Sequence, residues 1–212
     1  MKLWSLPAVI ALLSVAVVPL SAASLCDAVS GNLVANCGFE TLDLTGWTFT
    51  AAALGSDFYI NTDPASANSG SGSAWFGATD GLDDSISQVL PTTPGTVHLL
   101  LYLMHNSTDS ANDFNVYWDG VPVYQIVNTA SFPYTLVDVG NLVATGSDTL
   151  TFAGREGPAW YGLDDVVVTP ETGTPEPGTI GMLFGGLGLV ALGLRRRSEP
   201  SARPVRTRLC PR

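Results

Sequence analysis

Basic residues are nearly missing from the body of this 212-residue sequence: residues 24–177 hold eighteen acids and one base, Arg155, a net of −17. Nucleic acid is thereby excluded as a partner, because binding it relies on Lys and Arg to neutralise phosphates. Histidine is almost as scarce. His98 and His105, seven residues apart on one extended strand, would face opposite sides of a sheet. No Ser-His-Asp, Cys-His or zinc-ligand constellation can be assembled around them, so the inventory argues against an enzyme. Acidic pairs such as Asp83 and Asp164 are too easily found among so many carboxylates to signal glycoside hydrolysis. The run from Asp80 to Asp84 lacks the alternation and distal Glu of an EF-hand loop and reads as a solvated turn. Long helical periodicity is also missing between residues 24 and 174, which excludes a helical bundle there.

Apolar character is concentrated at the two ends. Lys2, a run at 6–20 and the small residues Ser21, Ala22 and Ala23 have the charged start, greasy middle and exit of a secretory signal, with cleavage expected after Ala23. Leu25 stands where a lipidated cysteine needs a small neighbour, so Cys26 is not read as a lipid anchor. At the other end, a linker at 171–177 leads into an uncharged Gly-rich segment at 178–194 and a basic tail at 195–212. As a helix, 178–194 would reach about 26 Å, enough for a short single transmembrane span. Arginines on its far side place the tail in the cytoplasm and the acidic domain outside.

The intervening residues 24–170 read as one all-β domain. Short β-branched and aromatic runs alternate with Gly, Pro, Asn and Asp clusters, predicting strands at 32–34, 47–53, 58–60, 73–76, 85–90 and 97–104. Further strands are predicted at 114–118, 121–127, 135–139, 149–153 and 162–169. Eleven such runs suit an antiparallel two-sheet β-sandwich of jelly-roll type, with Asp119-Gly120 as a hairpin turn.

Pro175-Glu176-Pro177, the Gly-rich span and Arg195-Arg196-Arg197 together resemble the PEP-CTERM sorting signal. The resemblance implies export by the secretory machinery, transient single-pass anchoring in the inner membrane, and cleavage by an exosortase-type membrane peptidase. The product would end at the cell surface or outside the cell. Family members stop soon after the arginines, whereas this chain continues through 198–212. Cys26 and Cys37 are then the only cysteines left after both cleavages, and in an oxidising compartment they are expected to pair; Cys210 lies beyond the span and stays reduced.

Asn32-Leu33-Val34-Ala35-Asn36-Cys37-Gly38-Phe39-Glu40, followed by Gly46-Trp47, resembles the opening strand of galactose-binding-like jelly rolls, a group that includes many carbohydrate-binding modules. Trp160-Tyr161-Gly162-Leu163-Asp164-Asp165-Val166 is similar to their last strand, and Cys37 departs from the usual Gly. The resemblance implies neighbouring first and last strands joined by a structural calcium between Glu40 and Asp164 or Asp165. Calcium suits such oxygens, taking six to eight of them. Adjacent strand residues face opposite ways, so one aspartate should meet the metal and the other point away. Sugar binding needs aromatic faces with polar neighbours. Tyr59, Trp75, Trp118, Trp160 and Tyr161 are the candidates, with Trp47 assigned to the core. Two functions follow: a non-catalytic surface or extracellular-matrix protein, or a module recognising an extracellular polysaccharide.

Overall fold

Period-two patterning decides the architecture. In the strand Gly95–His105, Val97, Leu99, Leu101 and Leu103 are buried while His98, Leu100, Tyr102 and Met104 turn to the other face. The computed structural model describes residues 23–106 and 111–171. Among them run a one-turn helix, α1 (Leu25–Ala28), and ten strands. These are β1 (Thr48–Thr50), β2 (Phe58–Asn61), β3 (Ser73–Phe76), β4 (Asp84–Leu90), β5 (Gly95–His105), β6 (Asp113–Trp118), β7 (Val121–Val127), β8 (Phe132–Ala144), β9 (Asp148–Arg155) and β10 (Tyr161–Pro170). They form two antiparallel five-stranded sheets, β1-β4-β9-β6-β7 and β2-β3-β10-β5-β8.

The inner faces meet in one apolar core. Ile86, Leu90, Phe114, Val116, Leu150 and Phe152 from the first sheet face Phe76, Leu99, Leu101, Leu103, Tyr161 and Leu163 from the second. Each such side chain contributes roughly 1.5–3 kcal/mol by leaving water. Trp47 joins the core as expected, stacked on Phe39 with ring centroids 5.7 Å apart. The β6–β7 hairpin turns at Asp119 and Gly120, whose φ values of 50° and 77° suit the two-residue turn that matches strand twist.

Sequence and structure differ at the first predicted strand. Residues 32–34 lie along β10 but form no strand: Leu33 N–H donates to Val168 O, while the Asn32 side chain, not its backbone, accepts from Val168 N–H. A side-chain amide thus stands in for one rung of the ladder. The remaining predicted strands are present, β8 being much longer than its apolar stretch suggested.

Cys26 and Cys37 are disulfide-linked, with Cα atoms 6.0 Å apart. No helix among the described residues is long and apolar enough to cross a membrane. The proposed signal residues 1–22, the linker from 172, the span at 178–194, the tail at 195–212 and the sorting residues Pro175, Glu176, Pro177, Arg195, Arg196 and Arg197 lie outside the described residues.

Candidate functional site

β10 carries the first site through a break in its own regularity. It pairs with β3 only over Tyr161, Gly162 and Leu163, and its register with β5 shifts between Asp164 and Val167. Asp165 takes φ 51°, a left-handed conformation that suits Asp better than most residues. Past this bulge the N-terminal segment takes up the vacated edge, with Val166 N–H donating to Cys37 O. The expectation that Asp164 and Asp165 face opposite ways is therefore corrected, since both are 0% exposed and both meet the β2–β3 loop.

The two carboxylates are ringed by hydrogen donors. Asp164 Oδ2 accepts from the backbone N–H of Asn68 (2.9 Å) and Ser69 (3.1 Å), and its Oδ1 from Asp165 N–H (2.7 Å). Asp165 accepts from the hydroxyls of Ser24 and Ser69 and from the Asn68 amide. Among the described residues no basic side chain forms an ion pair with either. Burial first, and then the charge on Asp165, push the Asp164 pKa up to about 8 despite the three backbone donors.

Glu40 does not join them. Its Oε1 accepts N–H bonds from Ser71 and Gly72 further along the same loop. Among the described residues no three His, Cys, Asp or Glu side chains converge as a metal would require. A calcium shell needs six to eight acceptor oxygens. Here Asp164 and Asp165 each accept three N–H or O–H bonds, which leaves about one lone-pair site on each carboxylate, while Glu40 is turned to the Ser71 and Gly72 amides.

The second site lies on the outer face of the β2-β3-β10-β5-β8 sheet. Cross-strand register places Tyr59, Trp75, Gly162 and Met104 in one row. Tyr59 (38% exposed) lies 5.9 Å from Trp75 and 6.1 Å from Trp160, centroid to centroid, and the two indoles are 6.1 Å apart. Trp160 is held by exchange with Asn106, whose side chain accepts its N–H and whose N–H donates to its carbonyl. Gly162 lets Met104 and the Tyr134 hydroxyl close over the row, since a Cβ there would come within 2.9 Å of both. Met104, Asn106, Phe132, Tyr134 and Ala65–Ala67 enclose a cleft of about 430 Å³ beside it.

Three of the five aromatic candidates thus converge, Trp75 among them only as a buried backing that is 6% exposed and donates its indole N–H to Ser73 Oγ, and two do not. Trp118 is buried in the core with its indole N–H donated to Val143 O at 2.7 Å. Tyr161 is fully buried, stacked on His105 at 4.4 Å with its hydroxyl on Asn112. Both are corrected from sugar platforms to core residues, because β6 and β10 turn them inward. Asn106, Met104 and Tyr134 were not recognised in the sequence. Asn106 meets Trp160 across 54 residues, and no local pattern announces such a contact.

A third polar cluster sits on the opposite sheet. Arg155 pairs with Asp113 at 2.6 Å and approaches Asp83 at 3.6 Å, while Asn115 donates to both acids. Burial and the Asp83 charge push the Asp113 pKa up to about 6 against the pull of Arg155.

Comparison with solved structures agrees on the two-sheet sandwich fold. TmCBM61 in complex with beta-1,4-galactotriose matches with a TM-score of 0.54 at 17% identity, over 67% of this chain and 100% of that one. The K1 cleaved adhesin domain of Lys-gingipain from Porphyromonas gingivalis W83 matches at 0.52 and 13%, over 64% and 96%. The CBM22-1-GH10 modules of Clostridium thermocellum endo-1,4-beta-D-xylanase 10B, complexed with xylohexaose, match at 0.50 and 15%, over 68% and 29%. No curated protein matches the chain. Residues 174–197 match the family model for the PEP-CTERM protein-sorting motif, and the chain carries that motif there.

Proposed function

We propose that this is an exported, non-catalytic protein, sorted through its PEP-CTERM segment and trimmed by an exosortase-type peptidase, whose β-sandwich binds an extracellular polysaccharide. The observation that supports sugar binding is the pair formed by the exposed Tyr59 and the half-buried Trp160, backed by the buried Trp75 on the outer face of the sheet. Pyranose rings present C–H faces that pack on such rings, while Asn106 and Tyr134 in the adjoining cleft offer hydrogen bonds for hydroxyls. The galactotriose and xylohexaose complexes among the similar folds lend this reading a substrate class, neutral β-linked polymers. The acidity of residues 24–177 weighs against polyanionic glycans.

Affinity electrophoresis of the exported chain in galactan, xylan and alginate gels tests it. Retardation is expected in a neutral polymer, with affinity lost by about thirtyfold, roughly 2 kcal/mol, in a Tyr59→Ala, Trp160→Ala double variant. Unretarded migration in every gel would remove sugar binding. Sorting is tested separately by replacing Pro175-Glu176-Pro177 with alanines, which should leave the carboxyl-terminal segment on the protein by intact mass.

A further inference from the structure

The buried aspartate pair in β10 is met by the N-terminal end of the described chain at Ser24, and that end is where the signal peptide is expected to be cut. The Ser24 hydroxyl donates to Asp165 Oδ1 at 2.5 Å and accepts the N–H of Cys26. Ser24 is held there from two sides: two residues on, Cys26 is disulfide-linked to Cys37, and the Cys37 carbonyl accepts from Val166 N–H on the strand bearing both aspartates. A cleft of about 700 Å³ beside Ser24 is lined by Ala23, Ser24, Cys26, Gly38, Glu40 and Ser69.

We infer that cleavage between Ala23 and Ser24 supplies a cation that this pair lacks among the described residues, by freeing the α-ammonium of Ser24 to form an internal ion pair with Asp165. The step is a hydrolysis by signal peptidase. Water adds across the Ala23–Ser24 peptide bond, the new carboxylate leaves with the signal peptide, and the amine keeps the proton. Two single bonds and one Cα–Cβ bond separate the Ser24 nitrogen from its hydroxyl, so the ammonium lies within roughly 5–6 Å of the carboxylate, close enough to favour its charged form. Before the cut the same nitrogen is a neutral amide, and among the described residues the adjacent aspartates have only neutral donors. Processing thereby completes the folded domain, and the uncut precursor is the less stable form. A disulfide-pinned backbone makes the amine pre-organised, so little ordering entropy opposes the pair.

This inference rests on the export reading for the position of the cut, and the experiment separates the two. Intact mass of the exported chain is measured first, and a first residue other than Ser24 would overturn the export reading at this site and the ion pair with it. Melting temperatures are then compared for the chain beginning at Ser24, the same chain acetylated at its α-amine, and a form retaining Ala22-Ala23. The free-amine form should melt about 3 °C or more above the other two, and the gap should close in Asp165→Asn. Equal melting of all three, a gap that persists in Asp165→Asn, or a rise with calcium in the free-amine form would each overturn it. Should Asp165→Asn fail to fold, the acetylation comparison alone decides.

Discussion

At position 72 the absence of a side chain matters because backbone, not a movable group, occupies the space. A Cβ on Gly72 would lie 2.2 Å from the Phe39 carbonyl oxygen and 2.7 Å from its carbon. Gly72→Ala should therefore cost about 1–3 kcal/mol and lower the melting temperature by several degrees in a circular-dichroism melt. Gly31→Ala serves as the comparison: nothing lies within 4 Å of its Cβ, and only the φ of +81° opposes it, for about 1 kcal/mol. A Gly72 variant no less stable than the Gly31 variant would show that the Phe39 backbone yields. The same scale shows where sequence reading stops. The motif around Asp164 and Asp165 could be recognised, but not the left-handed turn at Asp165 that buries both carboxylates, because no Gly or Asn-Gly marks it.

Among the elements, the strands with clean alternation were the legible ones. β3 and β7 begin and end where their apolar and turn residues predict, while the 32–34 segment did not become a strand because the Asn32 side chain takes a ladder bond from the backbone. The aromatic cluster was only half legible, since alternation tells which residues share a face but not which face is the core. β4, β6 and β9 are joined at one end by the Asp83, Asp113 and Arg155 cluster, which gives them a pH dependence. Asp113 binds its proton more tightly folded than unfolded, its pKa rising from 3.8 to about 6. It contributes stability that is complete below pH 3.8 and lost as pH rises through about 6. Melting temperature plotted against pH should carry this downward component in the native chain, and Asp113→Asn should lack it. Identical slopes in the two proteins would place the pH dependence elsewhere.

For the molecule as a whole, the Cys26–Cys37 bond ties the N-terminal segment back on itself over a separation of 11 residues. Loop-closure entropy assigns it about 3 kcal/mol, so a Cys26→Ala, Cys37→Ala variant should melt roughly 6–12 °C lower. An unchanged melting curve would mean that the packing of Leu33 and Val34 on the core already fixes the segment. The pairing was foreseeable because compartment and count leave no other partner, whereas the site it supports came from contacts spanning more than ninety residues.

The strand that leads out of the domain toward the carboxyl-terminal segment is β10, and it is bonded along both edges, to β5 on one side and to β3 and the N-terminal segment on the other. Tension applied at Glu171 would pull along that strand's axis, so rungs on both flanks must shear together instead of parting one at a time. A tether placed there draws on the strongest direction the sheet has.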